Sequence, residues 1–75
     1  MITIYAQDNH VWTWSPDTKR LFRDNTLVPR SVAEPTFWIG EDSRSEFNGI
    51  YLPGEDTLIT KSGKIHKVVD INSIK

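Results

Sequence analysis

Residues 11–23, Val-Trp-Thr-Trp-Ser-Pro-Asp-Thr-Lys-Arg-Leu-Phe-Arg, constrain this chain more than any other stretch. Val11 to Trp14 is β-branched and aromatic, which suits a pleated surface. Ser15-Pro16-Asp17-Thr18 is turn chemistry, with proline pre-set for the second turn position, and Leu21 and Phe22 resume the strand. The pattern predicts a β-hairpin with an even loop, because Thr18 is a poor left-handed residue for an odd one. A two-residue loop sets Trp12 opposite Leu21 and Trp14 opposite Lys19. A four-residue loop sets Trp14 opposite Leu21 and Trp12 opposite Arg23. Side chains alternate with period two, so both registers give the same faces. One carries Trp12, Trp14, Leu21, Lys19 and Arg23; the other carries Val11, Thr13, Phe22 and Arg20.

Upstream, Ile2-Thr3-Ile4-Tyr5-Ala6 alternates as a strand does, and Asp8-Asn9 fits a two-residue hairpin turn. That turn would pair Tyr5 with Trp12 and Ala6 with Val11. Tyr5 then joins the tryptophan face, and Ile2, Ile4 and Ala6 join Val11 and Phe22 on an aliphatic face. A sheet with one wet side would not be apolar on both faces. Either the second half of the chain covers one face while a barrel closes around the other, or one face is left for a partner.

Downstream, Leu27 to Pro35 is too short and too proline-bounded for more than one helical turn. Thr36 to Ile39 reads as a strand ended by Gly40. Glu41 to Asn48 is ambiguous: Ser43-Arg44-Ser45-Glu46 fits a capping box, whereas Phe47-Asn48-Gly49-Ile50 fits a type I′ hairpin, which is preferred over so short a helix. Ile50 to Leu52 is a short strand, and Pro53-Gly54 signals a type II turn. Thr57–Lys61 and Lys64–Val69 pair across Ser62-Gly63, with Gly63 as the left-handed residue. Asp70 to Lys75 is an edge strand or a frayed tail. The expected fold is all-β: a single small antiparallel meander over residues 1–75, closing as an SH3-like or OB-like barrel or a two-layer sandwich. It has six to seven short strands and at most one short helical turn.

A chain of 75 residues buries only about 60–65% of its unfolded surface, so its stability is thin and it has no room for a second domain. It has no cysteine, which removes disulfides and thiolate metal sites and makes a reducing cytoplasm the default expectation. The N-terminus has neither a basic region nor a long apolar run, so no signal peptide or membrane span is expected there. The net charge of −1 argues against a dedicated duplex-DNA binder. The charge is unevenly spread. Glu34 to Asp56 holds six acids and one base, whereas Lys19 to Arg30 holds four bases and one acid.

Little in the sequence commits to a chemistry. His10 and His66 lie far apart without a zinc spacing, and Glu41, Asp42 and Glu46 lack the ligand alternation of a calcium loop. Gly40, Gly49, Gly54 and Gly63 are isolated, unlike a phosphate-binding loop. No cofactor, metal or catalytic activity is expected. What remains is the aromatic and basic face, with Tyr5, Trp12, Trp14, Lys19 and Arg23 as candidate binding residues. Protein interfaces favour Trp, Tyr and Arg; single-stranded nucleic acid needs flat rings interleaved with cations. The plainer alternative makes these rings core, packed against Phe37, Trp38 and Ile59, because so short a chain needs its large side chains to fold at all. The leading expectation is a non-catalytic module that binds another protein, as an inhibitor, an adaptor or a small phage-type accessory protein does. Single-stranded nucleic-acid binding is second, and a structural subunit assembling through strand edges is third.

Overall fold

The computed structural model describes residues 1–39 and 45–68. Among these the fold is all-β, with no helix. The strands are β1 (Ile2–Tyr5), β2 (Val11–Ser15), β3 (Arg20–Arg23), β4 (Thr26–Leu27), β5 (Glu34–Ile39), β6 (Ser45–Leu52), β7 (Thr57–Thr60) and β8 (Ile65–Lys67). They form two antiparallel meanders, β1-β2-β3-β4 and β5-β6-β7-β8. No described strand is shared between the sheets, so the expected closure is not found. The sheets instead meet over one core that includes Ile4, Trp12, Trp14 and Leu21 from the first and Phe47, Ile50 and Ile59 from the second. The segment at 29–33 is a turn, with Val32 N–H donating to the Pro29 carbonyl at 2.9 Å.

The 11–23 hairpin takes the four-residue register, with Trp14 opposite Leu21 and Trp12 opposite Arg23. The left-handed residue is Lys19, at φ 58°, and its N–H returns to the Ser15 carbonyl at 2.8 Å. The next turn adds a strand, so the described residues hold eight strands rather than the expected six to seven. Asp24 and Asn25 both have positive φ, 50° and 67°, which is the two-residue type I′ geometry. It carries the chain into β4, where Leu27 pairs with Phe22.

Four expectations about turns are corrected. The first hairpin is out of register by one residue, since Ile4, not Tyr5, lies opposite Trp12, and Tyr5 lies opposite Val11. The cause is the loop: Ala6 N–H donates to the His10 carbonyl at 3.1 Å, Asn9 N–H returns to Ala6 at 3.1 Å, and Asn9 sits at φ 67°. This is a three-residue loop with a left-handed last residue, and its odd length turns every β1 side chain to the other face. The second correction concerns Asn48-Gly49, which makes no hairpin but runs inside β6. Pairing steps from Thr36 opposite Gly49 to Phe37 opposite Phe47, which leaves Asn48 as the extra residue of a bulge. A Cβ on Gly49 would lie 2.4 Å from the Ile59 carbonyl oxygen, so glycine here permits close approach of β7 rather than a turn. Gly40, the Glu41-Asp42 pair and the tail from Asp70 lie outside the described residues.

Pro53-Gly54 also departs from the type II form. Glu55 N–H bonds the Leu52 carbonyl at 3.1 Å, and the left-handed residue is Asp56, at φ 49°, rather than Gly54. Between β7 and β8 the expected two-residue Ser62-Gly63 loop is corrected to the three residues Lys61–Gly63, with Thr60 N–H bonded to the Lys64 carbonyl at 2.8 Å, which moves the register by one so that Ile59 lies opposite Ile65. It has the same form as the loop at 7–9, with Gly63 in the place of Asn9 at φ 95°.

These two matching loops are joined. Gln7 N–H donates to the Gly63 carbonyl at 3.0 Å, and Ile65 N–H donates to the Gln7 side-chain oxygen at 3.2 Å. A Cβ on Gly63 would stand 2.4 Å from the Tyr5 carbonyl oxygen. Gly63→Ala therefore meets both an unfavourable φ and a backbone collision, with the strain alone costing about 1–3 kcal/mol. Gly54 has open space around it. In thermal unfolding, Gly63→Ala should lower Tm by about 8 °C or more, whereas Gly54→Ala should stay within about 3 °C. Equal tolerance at the two sites would show that the loop junction does not hold the sheets.

Candidate functional site

The structure separates the five candidate residues. Trp12 and Trp14 are 1% and 3% exposed, so the tryptophan face is the core. The buried indole N–H of Trp12 donates to an Asp8 carboxylate oxygen at 3.2 Å, which meets the need of a buried polar group for a partner. The Arg23 guanidinium lies 5.6 Å from the Trp12 ring centroid, in cation–π range. Trp14 stacks on Phe47, with centroids 6.1 Å apart and planes 5° from parallel, and meets Phe37 edge-on at 5.9 Å. Tyr5 does not share this face. The register error accounts for it: Tyr5 stands 77% exposed on the other side of the sheet.

Three surfaces result. One is a cleft of about 370 Å³ bordered by Asp8, His10, Trp12, Arg23, Ser31 and Glu55. His10 is held there by Asp24, with 2.7 Å between Nδ1 and a carboxylate oxygen, while the other oxygen accepts the Val11 N–H at 3.0 Å. The Val11 hydrogen bond is the main reason that the Asp24 carboxyl titrates below its ordinary 3.8. The His10 hydrogen bond follows, then a small opposing desolvation, then the charges of His10 and Arg23. Beside this carboxylate, Nδ1 is the donor. A carboxylate-oriented imidazole is half of an acid–base pair, but among the described residues no hydrogen bond joins Ser31 to His10. Asp24 also donates its own N–H to the Val11 carbonyl at 2.8 Å. The geometry is that of a clasp closing the open end of the β2–β3 hairpin.

The second surface is a smaller cleft of about 170 Å³, walled by Trp14, Leu21, Val28, Ala33 and Pro35, with Lys19, Arg20, Arg30 and Leu27 also lining it. The third is the outer face of the first sheet. Thr3, Thr13, Phe22 and Leu27 face one another across all four strands, and Tyr5 and Val11 form the adjacent pair. Phe22 and Val11 are half-buried and Leu27 is 51% exposed. Sequence reasoning grouped Val11, Thr13, Phe22 and Arg20 on one face. It missed Leu27, for which the Asp24-Asn25 turn was the available signal, and it placed Tyr5 on the wrong side.

Asp24 sets a pH dependence. A carboxylate with a lowered folded pKa stabilises the fold above its unfolded pKa, and the contribution is lost as pH falls through the folded value. Asp24→Asn should therefore lower stability at neutral pH, and the difference from wild type should shrink at about pH 2.5. Urea unfolding at both pH values checks this; an equal loss at both would remove the charge from the explanation.

No protein-family model, curated protein or solved structure matches this chain significantly.

Proposed function

We propose that the chain is a non-catalytic module that binds another protein, acting in the cytoplasm as an inhibitor or adaptor of the kind that small phage accessory proteins provide. The observation that carries this reading is the open outer face of the first sheet. Tyr5 and Leu27 stand exposed on the same side as half-buried Val11 and Phe22, in rows fixed by the strand register. Rigid aromatic and aliphatic side chains on a sheet give large contact area at low entropic cost, and Tyr is favoured at the energetic centre of interfaces.

The nucleic-acid alternative has less to stand on, because stacking on Trp12 or Trp14 would require rings that are buried in the core. Edge-to-edge assembly has only short or interrupted edges to use: β4 is two residues long, β8 is three, β1 is four, and β5 carries Pro35.

The test is affinity capture from the source organism's lysate with identification by mass spectrometry, comparing wild type with Tyr5→Ser. Tyr5 is exposed, so the change should move stability by no more than about 0.5 kcal/mol. The wild type should retain a specific partner, and Tyr5→Ser should retain about tenfold less, as expected for an aromatic hot spot. A partner held equally by both proteins would remove the outer face from the interface.

A further inference from the structure

Resting on that protein-binding reading, we infer that the cleft lined by Lys19, Arg20 and Arg30 receives an acidic segment of the partner, with one aliphatic side chain seated between the cations. Three basic side chains from two parts of the chain line one opening: the neighbours Lys19 and Arg20, at the end of the β2–β3 loop and the start of β3, and Arg30 from the β4–β5 connection. No acidic side chain lines it among the described residues. None of the three cations makes an ion pair or side-chain hydrogen bond there either; His10–Asp24 is the ion pair found among those residues. Lys61 and Lys64 likewise have no side-chain partner among the described residues, so what marks this opening is that three cations line it together. Gathering three unneutralised cations costs self-repulsion, which an incoming anion relieves.

The walls fix the rest of the ligand. Leu21, Val28 and Ala33 are buried core residues at the base, Trp14 is inaccessible to a stacking base, and exposed Leu27 lines the opening. At about 170 Å³ the cleft falls below the volumes of small-molecule sites, roughly 300–1,000 Å³, and has room for about one side chain. Carboxylates at the opening and a leucine-sized group inside satisfy both the charge and the apolar walls, whereas a nucleic-acid strand would use only the charge. The cleft is also continuous with the proposed interface. Arg20 lies two residues from Phe22 and so shares its face, and Leu27 is the cross-strand partner of Phe22. A chain crossing the outer face thus runs off the β3–β4 edge into the cations.

The probe is a fluorescein-labelled peptide with one leucine flanked by two acidic residues on each side, read by fluorescence anisotropy against the full chain. Binding at low salt should weaken as salt is raised. It should fall about tenfold or more in Arg30→Glu, and about fivefold in Lys19→Gln. Lys61→Glu, in the distant β7–β8 loop, should change it by less than about twofold. Tryptophan near-ultraviolet circular dichroism checks that each variant keeps its core. Equal binding of the same peptide with glycine in place of leucine would reduce the cleft to a general anion sink and overturn the proposal. Tighter, Arg30-dependent binding of oligo(dT) would overturn it in favour of nucleic acid. Absence of peptide binding would also overturn it, and would leave the protein-binding reading standing wherever Tyr5→Ser still releases the captured partner.

Discussion

The indole of Trp14 is the contact on which the two halves of this molecule depend. It belongs to β2 of the first sheet, yet its neighbours are Phe47, stacked nearly parallel, and Phe37, edge-on, both from the second sheet. The two phenylalanines also meet each other edge to face, with centroids 6.2 Å apart. A sheet with an apolar side must bury that side against another element to be stable in water. Each sheet covers the apolar side of the other, and the aromatic trio is where that mutual cover is most geometrically specific. Deleting the Trp14 ring would open a void that neither sheet could fill without breaking its own ladder.

This explains why the aromatic residues that look most available in the sequence are the least available in the fold. Trp12 and Trp14 face inward because Phe47, Ile50 and Ile59 share one core with them, with Phe37 edge-on to Trp14. The basic residues on the same face reach solvent only at its margins, with Arg23 capping the Trp12 ring and Lys19 at the loop. The proposed binding surface is therefore the opposite face, where Tyr5 and Leu27 are exposed. Asp8 serves both arrangements, accepting the His10 backbone N–H at 3.0 Å and the Trp12 indole N–H. It shapes the loop and lets a tryptophan lie buried without an orphaned donor.

Much of the architecture was legible, because hairpins are local objects. The 11–23 hairpin, its even loop and its division into two faces follow from alternation and turn chemistry, and so does the pairing of β7 with β8, though not its register, which the three-residue loop shifts by one. Where local signals failed, a distant backbone was responsible. Asn48-Gly49 has the composition of a type I′ turn, but the approach of Ile59 makes Gly49 a packing residue inside a strand. The choice of core face was equally non-local. Both faces of the first sheet are apolar, and the residues that decide between them lie more than twenty positions downstream. Tyr5 was misplaced for a smaller reason: Asp8-Asn9 is compatible with loops of two or three residues, and only the second matches the odd register that the sheet adopts.

That loop of Gln7, Asp8 and Asn9 has a consequence for how the chain can vary. Its length decides the parity of β1, and therefore whether Tyr5 or Ile4 meets the core. Losing or gaining one residue would exchange the inner and outer sets of the whole strand, placing a phenol against Trp12 and two isoleucines in water. A change of two residues would preserve the faces. Sequences that keep this fold should therefore differ in length here by even steps. Even those are restricted by the backbone bond from Gln7 to Gly63, which ties the tip to the opposite sheet. The β2–β3 loop at Pro16 to Thr18, exposed and without a backbone bond to the second sheet among the described residues, is where even steps in length meet least resistance.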